Sequence, residues 1–269
     1  MKLTEGDTMD NKKTKIYVTT HKKYDDIIKN DVYTPLFVGA EGKESYDYLR
    51  DDSGDNISLK NPYYSELTGL YWIWKNSDAD IAGLNHYRRL LVNGFLGRGD
   101  ILTKDQIERD LQKNDVIAYK RKKTGKTVYD NFRLYVSEED LSISCELFER
   151  LYPDYKEAFK KVLNGHTFFA SSLFVAHKDW LDNYCAWLFP YLFELEKEIY
   201  NSNQLEQKRV IGYIAEILLT VYIEHNNFKV KEYYIRLTEA RSNFLGNLIN
   251  DSYVFAYIYD YIYMRKKKL

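Results

Sequence analysis

Short β-branched and apolar runs alternate along the chain with longer segments whose apolar residues recur every three or four positions. Strands interleaved with amphipathic helices produce that alternation, and it argues for an α/β fold. Residues 15–20 form the first run, suited to a buried strand, and hand over to the polar His21-Lys22-Lys23. Residues 31–40 hold Pro35 and then Leu36-Phe37-Val38-Gly39, a second short strand. Residues 41–60 are polar, carry Gly42 and Gly54, and read as a loop. Asn61-Pro62 then opens a helix, with Asn61 as its N-cap and Pro62 at its first position. Tyr63, Leu67, Leu70 and Trp74 give that helix one apolar face as far as residue 75.

Residues 80–84 follow as a short strand that delivers Asn85-His86-Tyr87-Arg88-Arg89 at its end. Helix is expected over 100–114, strand over 115–119, and a basic loop over 121–126. Residues 137–163 read as helix broken by Pro153, 167–176 as a strand, 180–200 as helix around Pro190, and 209–226 as a nearly all-apolar helix. The expected architecture is one α/β domain over residues 15–240 with a mostly helical C-terminal half. A flexible leader, 1–14, precedes it, and an aromatic and basic segment, 241–269, follows.

Charge narrows the partners. With 39 basic against 40 acidic residues, the chain has no electrostatic reason to bind nucleic acid. Tyrosine is abundant, 26 residues, and serves equally in a core or stacked on bases and sugars. Cys145 and Cys185 form no metal-like cluster and fit a reducing compartment. No run approaches the ~18–20 apolar residues of a membrane helix, and residues 1–15 lack a signal peptide's apolar stretch. The chemistry is therefore expected in the cytoplasm. The run of Tyr, Ile, Val and Phe over 253–264, followed by Arg265-Lys266-Lys267-Lys268, suits docking at the anionic inner face of a membrane, or a packed last helix with a solvated tail.

The strongest chemical signal is Arg88 and Arg89 beside His86, just past a buried strand. Guanidinium forks pair with phosphate oxygens and stay charged at any working pH. A surface pair of arginines bonded to carboxylates is the competing explanation.

Six segments, in order, carry a resemblance: residues 15–22, 55–61, Glu66-Leu67-Thr68-Gly69-Leu70-Tyr71-Trp72-Ile73-Trp74-Lys75-Asn76, Gly83-Leu84-Asn85-His86-Tyr87-Arg88-Arg89, residues 184–190, and Arg209-Val210-Ile211-Gly212-Tyr213-Ile214-Ala215-Glu216. Together they resemble a bacterial family found among capsule and exopolysaccharide biosynthesis proteins, generally described as glycosyltransferases, many of which carry only a domain-of-unknown-function label. Where that family often has Asn-Met-Phe, this chain has Ser172-Leu173-Phe174. The resemblance implies a glycosyltransferase-A-like nucleotide-binding domain. It also implies a nucleotide-sugar donor, UDP-linked as first choice, a hexosyl group such as galactosyl in either ring form, and a glycan or lipid-linked oligosaccharide acceptor.

Such folds usually hold a divalent metal with an Asp-x-Asp pair at the end of a central strand. Here Arg88 and Arg89 follow the comparable strand, so arginine is expected to replace metal, with no cofactor required. Asp78-Ala79-Asp80 matches the acidic pattern but precedes its strand, and Asp51-Asp52 is a loop rival. The other donor-binding candidates are Thr20 and His21 for the base, Asp55, Asn56 and Ser58 for ribose or phosphate, Lys60 for phosphate, and Tyr71 and Arg209. Glu66 and Thr68 are expected to orient the arginines. Glu216, a lone acid in an apolar helix, is the first candidate for the base that takes the acceptor proton, or else a structural partner of Arg209. Asp154 and His166 stand behind it. Two other classes compete: a non-catalytic sugar- or nucleotide-binding module, and a phosphate-ester hydrolase using His86.

Overall fold

The computed structural model describes residues 12–201, 209–238, 248 and 251–252. Three strands come first: β1 (Thr14–Thr20), β2 (Tyr33–Phe37) and the short β3 (Leu49–Arg50). Helices α1 (Asn61–Tyr64) and α2 (Leu67–Asn76) lead into β4 (Ile81–His86) and β5 (Arg89–Val92). Next are α3 (Lys104–Leu111), β6 (Val116–Tyr119), β7 (Lys122–Lys123) and α4 (Val128–Phe132). Helices α5 (Glu138–Leu151) and α6 (Lys156–Asn164) flank a turn at Pro153. The described elements close with β8 (Thr167–Phe168), β9 (Phe174–His177), α7 (Lys178–Asn201), α8 (Val210–Asn226) and β10 (Val230–Leu237).

The main sheet has a parallel half in the order β3-β2-β1-β4. Its central strands are buried on both faces, which is why β1 and β4 do not alternate but hold unbroken apolar stretches, Ile16-Tyr17-Val18 and Ile81-Ala82-Gly83-Leu84. Beyond β4 the sheet changes character. Ile81–Leu84 pair antiparallel with β9, β9 pairs antiparallel with β6, and β6 pairs parallel with β10. β10 pairs antiparallel with β5, and β5 returns to β4 through His86 and Arg89. The carboxyl ends of β1, β4, β6 and β10 thus share one edge with the start of β9. Strand order reverses between β1 and β4, since β1 is followed outward by β2 while β4 leads the other way. Open α/β sheets place ligands at such a point.

Helices cover the sheet. Gly69 lets α2 lie close on it: a Cβ there would stand 2.9 Å from the methyls of both Thr19 and Val38. α7 packs on α2, α5 and α8, and Trp180, Tyr184, Trp187 and Tyr222 interlock along the α7–α8 seam. Much of the tyrosine content is spent this way, with Tyr33, Tyr64, Tyr184 and Tyr191 among the largest wholly buried side chains.

Several elements depart from the expected pattern. The helix opened by Asn61-Pro62 is two helices, because Ser65 takes φ 52°, ψ −130° and breaks the ladder. Asn61 is not its N-cap. It is the first residue of α1, and its amide donates to Ser65 O and Thr68 Oγ1, binding the break from inside. The expected strand over 167–176 splits around Ser171 and Ser172, both with positive φ. The basic loop contains β7, and β5 and β10 were not foreseen: β5 abuts the charged motif, and β10 alternates with polar residues. β1 begins at Thr14, inside the expected leader, whose residues 1–11 lie outside the described residues. The segment 253–269 also lies outside them. Among the described residues no helix is long and apolar enough to cross a membrane.

Candidate functional site

At the carboxyl edge β4 turns directly into β5. His86 and Arg89 face each other across the hairpin and Tyr87-Arg88 form its tip. The tip is anchored on both sides: Tyr87 N–H donates to Thr19 O at 3.0 Å, and Thr238 N–H donates to Arg88 O at 3.2 Å. Thr238 Oγ1 also donates to Tyr87 O at 3.0 Å. The arginines therefore project from a fixed backbone.

Three adjoining cavities run along this edge. The first, about 260 Å³, lies between His21 at the end of β1 and His86 at the end of β4, with Asn61, Ser65 and Arg88 around it. The second, about 150 Å³, shares Ser65, Glu66, His86, Arg88 and Arg209 with the first and reaches Arg89 and Glu216. A third, about 290 Å³, shares Arg89, Tyr213 and Glu216 with the second and opens among Tyr119, Phe132, Tyr135 and Phe168. The result is one cleft with Glu216 at its inner junction.

The cleft is lined by Arg88, Arg89 and Arg209 against Glu66 and Glu216. Arg89 Nη1 donates to Ser171 Oγ at 3.1 Å, and Arg209 Nε donates to Ser65 Oγ at 3.1 Å. Both receiving serines have positive φ, 69° at Ser171 and 52° at Ser65. A non-glycine residue held there costs on the order of 1–3 kcal/mol, and such strain gathers at binding sites. Gly212 faces the same corner: a Cβ on it would stand 3.4 Å from Ser65 Oγ, in van der Waals contact with the α1–α2 break.

Two titrations are displaced. His86 is pushed down to about 3, first by burial and then by Arg89 and Arg88. It is neutral at physiological pH. Its Nδ1 accepts the Arg88 backbone N–H at 3.2 Å, so its proton sits on Nε2, which can donate to a ligand oxygen. Glu216 is pushed up to about 7, by burial and then by the Glu66 carboxylate, while Arg89 and a backbone hydrogen bond at Ser171 pull the other way. A carboxyl poised there exchanges a proton near neutrality, as a general base must.

The structure divides the sequence candidates sharply. His21, Glu66, His86, Arg88, Arg89, Arg209 and Glu216 share the cleft. Among the described residues no ion pair joins Arg209 to Glu216, so the structural pairing weighed for Glu216 is not formed. Lys60 is held instead by Glu196 of α7, 2.7 Å away. Tyr71 donates to Asp55 Oδ1 at 3.1 Å, and Asp55 N–H is bonded to Asn76 at the far end of α2, so this pair packs the helix. Asn56 closes its own loop onto Gly54, and Ser58 donates to the buried Asp51. Thr20 is wholly buried and donates to Lys22 O. Thr68, also buried, donates to Ser65 O at the helix break and so does not orient the arginines directly. Asp154 and His166 are exposed and line none of the three cavities.

The acidic rivals are likewise occupied. Asp80 accepts Lys13 N–H and Asp78 pairs with Lys13 Nζ, at the amino end of β4, opposite the cleft. Asp51 accepts from Gly39 N–H and Ala40 N–H, and Asp52 is paired with Arg50. Among the described residues no three His, Cys, Asp or Glu side chains are grouped as metal ligands. Sequence reasoning missed Ser65, Ser171 and Tyr135, which lie in no motif, and Tyr213, which lies inside the Arg209–Glu216 segment but was given no role.

Fold and cleft together define an α/β protein that can receive an anionic ligand at the switch point of its sheet. Over residues 15–227 the chain matches the family described as a domain of unknown function, DUF4422, and it belongs to that family. It is also similar to a solved structure, the WbbM bifunctional glycosyltransferase in its apo form, with a TM-score of 0.74 and 30% identity. That alignment covers 84% of this chain and 45% of the other, so the chain spans under half the length of that relative. A comparison with curated proteins gives no match.

Proposed function

We propose that this chain is a glycosyltransferase of glycosyltransferase-A-like fold that moves a hexosyl group from a nucleoside-diphosphate sugar, UDP-linked as first choice, to a glycan. The observation that carries the reading is the single cleft in which Arg88, Arg89 and Arg209 meet Glu216, whose carboxyl is held near neutrality. The similarity to a bifunctional glycosyltransferase supports it.

In this mechanism the nucleotide lies at the ends of β1 and β4, beside His21. Its diphosphate rests on Arg88, Arg89 and Arg209, with His86 Nε2–H donating to an oxygen. The acceptor hydroxyl oxygen attacks the anomeric carbon while its proton passes to Glu216. The bond from the anomeric carbon to the diphosphate oxygen breaks, and its electron pair leaves with the nucleoside diphosphate. Guanidinium stabilises that growing charge, the role a metal plays in related folds. Single displacement of this kind inverts the anomeric centre. A hydrolase using His86 as nucleophile fits less well, because the Nδ1 lone pair is engaged and Nε2 carries the proton.

The test is thermal stabilisation by UDP-, GDP-, CMP- and dTDP-sugars, followed by turnover with and without EDTA. Stabilisation by one nucleotide class, and nucleoside diphosphate release that persists in EDTA, are the expected results. No stabilisation would sink the donor site. Binding without any transfer or hydrolysis would make the chain a binding module. Full loss in EDTA restored by Mn²⁺ or Mg²⁺ would overturn the role given to the arginines.

A further inference from the structure

The third cavity meets the donor site at Arg89, Tyr213 and Glu216 and otherwise lies outside it. It lies beyond Glu216, on the side away from His21, and its walls are rings. Phe132 and Phe168 meet edge to face at 5.2 Å, and Tyr135 and Tyr213 lie 5.5 Å apart, tilted 31°. Between the rings stand the polar and charged groups of Arg89, Lys122, Asn131, Ser171 and Glu216.

We infer that this aromatic chamber is the acceptor subsite and receives one sugar ring, the non-reducing terminal residue of a glycan. The inference rests on the reading of the cleft as a glycosyl-transfer site. Sugar rings present C–H faces that stack on aromatic rings, and hydroxyls at the edge that bond to amides and carboxylates. The lining offers both. Its volume, about 290 Å³, is roughly ten waters at ~30 Å³ each. That holds one ring and leaves the rest of the glycan outside. Position fits as well: a hydroxyl pointing toward the second cavity meets Glu216, which faces both spaces.

Saturation-transfer NMR on the full chain tests this, with methyl β-D-galactopyranoside and methyl β-D-glucopyranoside as probes, each with and without saturating UDP. Binding of at least one glycoside that persists when UDP is bound is expected. Tyr135→Leu, which removes the aromatic face, should weaken it about five- to tenfold. Tyr135→Trp, which fills the chamber, should abolish it. Both variants should keep the wild-type affinity for UDP, which serves as the check on folding. Displacement of the glycosides by UDP, indifference to both substitutions, or no binding of either probe would overturn the assignment. Failure of the donor reading shows separately, as UDP binding indifferent to Arg209→Ala.

Discussion

Replacing Glu216 by glutamine separates chemistry from stability, because the two should move in opposite directions. The side chain keeps its shape and loses its charge. In the wild type the carboxyl titrates at about 7, against an ordinary value of 4.5. A carboxyl with a raised folded-state pKa binds more protons when folded, so stability falls as pH rises from 4.5 through 7, and the full cost is present above 7. At ~1.4 kcal/mol per unit the shift corresponds to at most about 3 kcal/mol, and solvent entering the cleft cuts the realised value to ~1–2 kcal/mol. Glu216→Gln should therefore be more stable than wild type by about that amount at pH 8, and little changed at pH 4.5. Its turnover should fall by roughly 10²–10⁴-fold, the usual worth of a general base. Denaturant titration at the two pH values gives the first quantity, and nucleoside diphosphate release from the stabilising donor gives the second. The wild-type kcat/KM should rise with pH through an apparent pKa near 7. Glu66→Gln, which removes the neighbouring carboxylate, should move that limb to lower pH. A variant that loses stability and activity together would refute the reasoning and return Glu216 to a structural role.

Arg209→Ala and Arg89→Ala should each weaken UDP binding by about 10–100-fold in calorimetry, since each removes a charge-assisted contact of ~1.5–3 kcal/mol. Arg88→Lys should weaken it less than Arg88→Ala but not restore it, because lysine lacks the planar fork. Gly69→Ala places a Cβ 2.9 Å from Thr19 and Val38 and should cost about 1–3 kcal/mol in denaturant unfolding. Ser172→Gly, at φ 46°, should be neutral or stabilising by up to ~1 kcal/mol in the same assay.

The parts of this molecule legible in sequence are those whose physics is local. Strands β1 and β4 are buried on both faces and so hold unbroken apolar stretches instead of an alternating pattern. Pro153 interrupts the helices where it stands. Arg88 and Arg89 follow a strand directly, and Glu216 is conspicuous because α8 is otherwise so apolar. The illegible parts depend on distant partners. Asp55, Ser58 and Lys60 look the same in sequence whether they hold a ligand or another element, and here they hold Tyr71, Asp51 and Glu196. Ser65, Ser171 and Ser172 take a backbone conformation that glycine would have announced and serine conceals. An asparagine at position 172 would suit such a conformation better than serine does. The aromatic chamber draws on residues from 89 to 237, and no local pattern gathers them.

The division of the sheet at β4 has a consequence for how such a protein can diversify. Walls of the first cavity come from segments between His21 and Arg88, apart from Arg209, whereas those of the third come from Arg89 onward. Helix α8 and the residue before it are the shared boundary, setting Arg209, Tyr213 and Glu216 in line about one turn apart. Substitutions in α4 and β8 can therefore remodel one chamber while the other keeps its shape. A lineage can reshape either chamber while sparing the other, provided the register of α8 is kept.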